Sequence, residues 1–221
     1  MNSKRKNQNR KITEAVVGIA MFAALAYGVT FVFRIPVSFL TFDAKDAVIT
    51  VASFVYGPLA GVIMSLLTAL IELFTVSGTG FYGFVMNFVS SAVFAATASG
   101  IYKLWRNPRG AVLGPVLAVL TMTGTMLLMN LWITPVYMTF LTGATVTQAE
   151  VVAMIPTLLF PFNLAKGLLN AALAMLLYKP LSVALSRAGL VGRGEEKKSF
   201  SWNRTSILIA VVSLLMIAAA V

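Results

Sequence analysis

The chain has 221 residues, of which 59% are hydrophobic and only 11% are charged. A soluble domain is about 45–50% apolar and about 25% charged, so this composition indicates an integral membrane protein. There is no cysteine and no histidine, which excludes disulfides, a thiol nucleophile, a histidine base and the usual zinc sites. The net charge is +10. Because the basic residues lie between apolar runs, they are interpreted as determinants of membrane orientation and as contacts to anionic lipid rather than to nucleic acid.

Apolar runs predict six transmembrane segments, since a helix needs about 20 apolar residues to cross a bilayer. The second and third are predicted as two short helices, because Gly57-Pro58 marks a turn between them. We expect Pro135 to end the fifth helix, and the sixth to begin near Phe162 after a proline-containing lead-in. In chain order the runs are 14–33, 47–56, 59–76, 81–104, 111–134 and 151–178.

The chain is predicted to divide into four regions. Residues 1–13 form a basic cytoplasmic N-terminus, and residues 14–186 form the six-span membrane domain. Residues 187–206 form a charged cytoplasmic linker, and residues 207–221 form a candidate seventh transmembrane helix. A cleaved signal peptide is an alternative for the first run, because Ala24-Leu25-Ala26 resembles a cleavage site, although the run is long for such a peptide.

The positive-inside rule predicts that both ends of the six-span domain are cytoplasmic. With the N-terminus inside, the outer loops hold only Arg34 and Lys45, while Lys166 lies within a span. The remaining basic residues then lie on the inner side: Lys4, Arg5, Lys6, Arg10, Lys11, Lys103, Arg106, Arg109, Lys179, Arg187, Arg193, Lys197, Lys198 and Arg204. We expect a multi-pass protein of a bacterial cell membrane.

Lys166 is the most unusual residue, since a lysine at the centre of a membrane helix costs about 2.5–3.5 kcal/mol. It lies in the outer part of its span, and Asn163 and Asn170 share its helix face. This pattern favours a polar patch that faces a ligand. The alternative is a lysine that reaches towards the headgroups, with asparagines that bond helices together.

Other polar residues lie near the outer ends of the spans. Asn130 in the fifth span and Asn87 in the fourth indicate a pocket that opens outwards, although each also fits a hydrogen bond between helices. Glu72, near the outer end of the third span, either pairs with Lys166 or lies at the membrane interface.

The first outer loop contains Asp43 and Asp46 and is unusually apolar for an exposed segment. Asp46 is predicted to cap the second helix by accepting from its free backbone N–H groups. Phe39, Leu40 and Phe42 suit either a lid over a pocket or a position among the lipid headgroups.

The first span carries Ala20, Ala24 and Gly28 at four-residue spacing. A face of small residues allows another helix to approach closely, and the alternative is packing within the bundle. The sequence contains no P-loop motif, so the energy for any transport has to come from a partner or an ion gradient.

Several segments together resemble the substrate-binding S components of energy-coupling-factor (ECF) vitamin transporters, most closely the riboflavin-specific subfamily. The Phe-Asp-x-x-Asp loop and the Pro-Phe-Asn-x-x-Lys-Gly segment are the most specific of these. The resemblance rests on Phe39–Asp46, Phe54–Val62, Asn130 with Pro135–Tyr137, Pro161–Asn170 and Leu177–Lys179. It departs from the family at Lys45, where related sequences often carry serine, and in the tail after Arg187.

The resemblance implies an all-α bundle of six helices that captures riboflavin from outside with high affinity. It implies docking onto a membrane coupling subunit driven by two ATPase subunits, through the small-residue face at Ala20 and Ala24. Riboflavin is then a transported ligand, and no cofactor or metal is expected. The expected ligand-binding residues are Asn130, Asn163 and Lys166, with Asn87, Leu40, Phe42, Asp43 and Tyr82 beside them.

Riboflavin suits these residues chemically. Its isoalloxazine ring offers carbonyls and ring nitrogens to asparagine amides and to a lysine ammonium, and its dimethyl edge suits walls such as Leu40, Phe42 and Tyr82. The alternatives are an S component for another vitamin or for a flavin nucleotide, a membrane-embedded enzyme, and a structural membrane protein. An enzyme is disfavoured because the spans contain no cluster of acid–base or metal-binding residues.

Overall fold

The computed structural model describes residues 2–187 and residue 211. Within that part, the chain forms α1 (Asn2–Val32), β1 (Ile35–Val37), β2 (Leu40–Phe42), α2 (Lys45–Tyr56), α3 (Pro58–Thr75), α4 (Gly80–Leu104), α5 (Pro108–Thr142), α6 (Gln148–Met154), a π-helical turn (Ile155–Leu159) and α7 (Phe160–Arg187). The predicted linker 187–206 and the candidate helix 207–221 lie outside the described residues, except for Arg187 and Val211.

Among the residues that the structure describes, five helical segments are long and apolar enough to cross a membrane: residues 8–32, 58–75, 80–104, 109–142 and 148–178. Helix α2 has 12 residues and is therefore about 18 Å long. Its residues 45–53 are all buried, and it packs against α1, α3, α4 and α7. The prediction of an all-α membrane bundle is confirmed, with the short α2 enclosed by its longer neighbours.

The predicted turn at Gly57-Pro58 separates α2 from α3. Gly57 has φ +94° and ψ 169°, a combination that is essentially restricted to glycine. Pro58 begins α3, at a position where the missing N–H has no helical partner to lose. A Cβ added to Gly61 would lie 2.8 Å from the Ser53 Cβ, so the two helices pack closely side by side.

The prediction that Pro135 ends the fifth helix is wrong. Helix α5 continues through Pro115 and Pro135 to Thr142 and is capped by Gly143, whose φ is +71°. Proline is tolerated inside a membrane helix when neighbouring groups compensate for the lost backbone bond. The left-handed glycine, whose N–H donates to the Thr139 carbonyl, therefore determines the helix end.

The expected lead-in to the last helix is itself helical. Thr147 and Glu150 form a capping box at the start of α6. The π-helical turn contains Pro156, and the Phe160 N–H closes it by donating to the Ile155 carbonyl. Helix α7 then begins two residues before the predicted start.

The loop between α1 and α2 contains an antiparallel hairpin that the sequence analysis did not predict. Strands β1 and β2 pair with Ile35 opposite Phe42. The start of the hairpin is fixed by Arg34, whose Nη1 donates to the Val76 carbonyl at 2.7 Å. The hairpin thus lies at the same end of the bundle as the C-terminal end of α3.

The prediction that Asp46 caps α2 is also wrong. Asp46 lies inside the first turn of the helix, where its carboxylate accepts from the Ser91 hydroxyl. The cap comes from another helix, because the Ala47 N–H donates to Asn170 Oδ1 at 2.9 Å. Asn170 Nδ2 also donates to the Asp43 carbonyl at 2.8 Å. One buried amide on α7 therefore holds the end of the hairpin segment and the start of α2.

Candidate ligand-binding site

A cavity lies between helices α4, α5 and α7, beside strand β2. Its atom-free space, including the open mouth, is about 640 Å³. The wall consists of Phe39, Leu40, Thr41, Thr79, Tyr82, Gly83, Met86, Asn87, Ser90, Met126, Asn130, Ile133, Thr134, Tyr137, Phe162, Asn163 and Lys166. We call this space the inner cavity.

The side chains of the inner cavity form levels that follow from the directions of the helices. Helices α4 and α7 run away from the hairpin end of the bundle, and α5 runs towards it. Of the residues on the cavity wall, Ser90, Met126 and Lys166 therefore lie furthest from the hairpin end, at the deepest level. On each helix an asparagine lies one turn further out. These asparagines are Asn87, Asn130 and Asn163.

The mouth of the inner cavity is aromatic. The rings of Tyr82 and Tyr137 have centroids 5.7 Å apart, and Phe39 of the hairpin lies 6.4 Å from Tyr137. The hairpin therefore contacts the helices across the opening. The sequence analysis considered this loop either as a lid over a pocket or as a segment among the lipid headgroups. Phe39 and Leu40 of the loop line the cavity.

Six of the predicted ligand-binding residues line the inner cavity and two do not. Those on the wall are Leu40, Tyr82, Asn87, Asn130, Asn163 and Lys166. Phe42 instead packs edge-on against Phe162, with centroids 5.6 Å apart. Asp43 is not on that wall, and its carboxylate is engaged with the Lys45 and Lys166 side chains.

Lys166 is 3% exposed, and its ammonium lies 3.0 Å from Asp43 Oδ2. The same carboxylate oxygen lies 3.6 Å from the Lys45 ammonium. A buried ammonium without a counter-ion is very costly, so Asp43 allows Lys166 to remain charged at the cavity floor. The carboxylate therefore fixes both the position and the charge of this lysine.

The partner of Glu72 is Lys45, which is only 1% exposed. The Lys45 ammonium lies 2.8 and 2.7 Å from the two carboxylate oxygens of Glu72. Glu72 also accepts from Thr30 Oγ1 on α1 at 3.1 Å and from Asn87 Nδ2 on α4 at 3.3 Å. This carboxylate therefore links four segments of the fold and orients one asparagine of the cavity.

The sequence analysis counted Lys45 among the basic residues of an outer loop and did not predict its burial. Loop and helix-start lysines are usually solvated, so its place in the chain gave no warning. The available signal was Glu72, an acidic residue in an apolar run that requires a buried cation nearby. Ser90 and Met126 were also missed, since neither residue is unusual in a membrane helix.

The amides of the cavity are partly used within the protein. Asn130 Nδ2 donates to the Met126 carbonyl and its Oδ1 accepts from Thr134, both at 2.7 Å. Asn163 Nδ2 donates to the Leu159 carbonyl at 2.7 Å. Each amide has two donor hydrogens and one acceptor oxygen, so these bonds fix its orientation and leave capacity for a ligand.

A second, outer cavity adjoins the first and has about 1170 Å³ of atom-free space, including open solvent. The two share Phe39, Leu40, Thr41, Thr79, Asn87 and Tyr137. The outer cavity also reaches Arg34, Asp43, Lys45 and Glu72. The hairpin therefore separates an apolar inner space from a more charged outer one.

The small residues of α1 face away from the bundle. Ala20, Ala24 and Gly28 are all exposed, and a Cβ added to Gly28 would meet no atom within 4 Å. Ala23 and Ala26 on the other side are buried, at 2% and 0% exposed. The face at Ala20, Ala24 and Gly28 is thus not used for packing among the described residues.

Residues 14–178 match the family model "ECF transporter, substrate-specific component". The chain therefore belongs to the family of substrate-specific (S) components of ECF transporters, as the sequence analysis predicted, and it is a multi-pass membrane protein. A solved structure described as the S component of a bacterial ECF transporter superposes with a TM-score of 0.64 at 29% identity. The superposition covers 81% of this chain and 99% of the other.

Two characterised relatives are similar over most of their length. The riboflavin transporter RibU of Staphylococcus aureus (strain TCH60) is 31% identical over 192 residues, which are 85% of this chain and all of the relative. The riboflavin transporter FmnP of Bacillus subtilis (strain 168) is 23% identical over 176 residues, covering 76% and 91% of the two chains.

Proposed function

We propose that this chain is the riboflavin-binding S component of an ECF importer, and that it captures the vitamin from the outer side of a cell membrane. The observation that carries the proposal is the convergence of Asn87, Asn130, Asn163 and Lys166 on one cavity. The riboflavin transporter RibU, to which the chain is 31% identical over the full length of that relative, supports the choice of riboflavin.

The polar groups of the inner cavity suit a flat heterocycle. Amides fixed on α4, α5 and α7 can donate to ring carbonyls and accept from a ring N–H. Leu40 and Tyr82 offer apolar contact to the dimethyl edge of the isoalloxazine. A site with apolar walls and a few placed polar groups is typical of small-molecule recognition.

The charge of the site favours a neutral ligand. Lys166 is the single charged residue on the described wall of the inner cavity, and Asp43 at 3.0 Å neutralises it. A phosphate entering this space would find no uncompensated cation there, and burial of its charge would be costly. Riboflavin is therefore favoured over the flavin nucleotide that the sequence analysis kept as an alternative.

The hairpin is proposed to act as the lid of the site. Phe39 contacts Tyr137 across the mouth, while Asp43 and Ala47, just after the hairpin, are held by Asn170. Such anchoring restricts lid motion to strands β1 and β2, since the segment after them is buried and bonded. Asp43 thus supports the site by holding Lys166.

Transport is proposed to require partners. We infer that Ala20, Ala24 and Gly28 dock onto a membrane coupling subunit, because small residues permit close helix approach. Two ATPase subunits would supply energy, and the chain itself would not be an enzyme. The N-terminus is proposed to be cytoplasmic, with the basic inner loops against anionic lipid.

Calorimetric titration of the purified full chain with a panel of vitamins tests the proposal. We expect riboflavin to bind most tightly, with quenching of flavin fluorescence, and the nucleotide FMN to bind more weakly. Tighter binding of another vitamin, or no binding of riboflavin by folded protein, would overturn the assignment.

A further inference from the structure

Ser90 lies at the deepest level of the inner cavity. It follows Asn87 by about one turn of α4 on the same helix face, and it shares its level with Met126 and Lys166. Its side chain is 3% exposed. The resemblance to the S components did not single out this residue.

The Ser90 hydroxyl is buried and has no hydrogen-bond partner among the described residues. Its neighbour Ser91 donates to the Asp46 carboxylate, so the two adjacent serines differ. A buried polar group without a partner destabilises a fold, and a group left in this state at a cavity wall requires explanation. Ser90 lies on the wall of the inner cavity, so a bound ligand would lie beside it.

We propose that Ser90 is a ligand-contacting residue that hydrogen-bonds the polar edge of the flavin ring at the closed end of the inner cavity. The inference rests on the proposed function. The ring belongs at this end because it is flat and largely apolar, whereas the hydroxylated ribityl chain is readily solvated near the open mouth.

The test measures riboflavin and lumiflavin, which carries a methyl group in place of the ribityl chain. We expect Ser90→Ala to weaken the binding of both by about tenfold, the usual effect of one buried hydrogen bond. Loss of riboflavin affinity alone would overturn the inference, since it would place Ser90 at the ribityl chain. Unchanged affinity for both compounds would also overturn it and indicate that water occupies the site.

Thr123 on α5 offers a matched control. It is 4% exposed, and its hydroxyl also lacks a partner within the described chain, but it lines neither cavity. Thr123→Val should leave the affinity for both flavins unchanged. A flavin affinity loss in this variant equal to that of Ser90→Ala would show a general packing effect and overturn the inference.

A thermal measurement separates ligand contact from a structural role. Ser90→Ala removes an unpaired buried hydroxyl, so the unfolding midpoint of the ligand-free protein should stay equal or rise. The stabilisation by riboflavin should fall in the same variant. A lower ligand-free midpoint would show that the hydroxyl supports the fold and overturn the inference, whereas failure of wild-type protein to bind either flavin would overturn the proposed function itself.

Discussion

The Asp43 carboxylate and the Lys166 ammonium lie 3.0 Å apart, although 123 residues separate them in the chain. Asp43 directly follows strand β2 of the hairpin, and Lys166 forms part of the floor of the inner cavity. The pair therefore connects the proposed lid with the proposed binding site. It also leaves the cavity close to electrically neutral, which suits an uncharged vitamin.

Removal of the Lys166 ammonium should impair binding while the protein remains folded. In Lys166→Met, Asp43 retains Lys45 as a cation at 3.6 Å, so the carboxylate is not isolated. We expect riboflavin affinity, measured by fluorescence quenching, to fall well beyond tenfold, because a charged hydrogen bond in a buried site is lost. Lys103, an exposed residue in the last turn of α4, offers the control, since Lys103→Met should bind riboflavin as the wild type does. Equal affinity in both variants would reject Lys166 as a ligand residue.

The Lys45–Glu72 pair should behave as a coupled unit. Loss of one partner of a buried ion pair destabilises a protein by about 3–5 kcal/mol, because the other charge remains buried. Lys45→Met and Glu72→Gln should each lower the unfolding midpoint in detergent. The double variant should lose clearly less than the sum of the two single effects, and strict additivity would contradict the pairing.

Gly57 should tolerate no side chain. Its φ of +94° with ψ of 169° belongs to glycine, and another residue there costs about 1–3 kcal/mol. Gly57→Ala should therefore lower thermal stability. Gly100→Ala is the control, since an added Cβ meets nothing within 4 Å in helix α4 and alanine favours a helix. Equal unfolding midpoints for the two variants would argue against the glycine-specific backbone conformation at Gly57.

The small-residue face of α1 should matter for uptake and not for binding. Ala24 is exposed, so Ala24→Leu should leave the fold and the riboflavin affinity of the isolated chain intact while cellular uptake falls. Gly124→Leu adds similar bulk at an exposed position of α5 with no atom within 4 Å of its new Cβ. Normal uptake by Ala24→Leu, or an equal loss in both variants, would reject docking through this face.

Local patterns predicted much of the architecture. Apolar runs marked the helices, and Gly57-Pro58 marked the division between α2 and α3. Helical spacing placed Asn163, Lys166 and Asn170 on one face, and all three are buried, at 2%, 3% and 0% exposed. These features depend on neighbours within a few turns, so the sequence contains the relevant information.

Predictions that depended on a distant partner failed. Pro135 was expected to end α5, but the helix continues through it. The neighbouring groups that compensate for the lost backbone bond inside a bundle are not visible in the sequence. Asp46 was assigned the cap of α2, but Asn170 supplies it from another helix. The cavity floor at Ser90 and Met126 was also missed, since common residues gain significance only from what surrounds them.

The sequence by itself determined that the protein spans a membrane, where its helices lie, and that Lys166 requires an explanation. Those properties follow from hydrophobicity and from the cost of a charge in lipid, which act on each segment separately. Only the tertiary structure decided that Asp43 neutralises Lys166 and that Lys45 pairs with Glu72. The attraction between two charges weakens as their separation grows. Which residues form an ion pair therefore depends on how the helices assemble rather than on the order of residues along the chain.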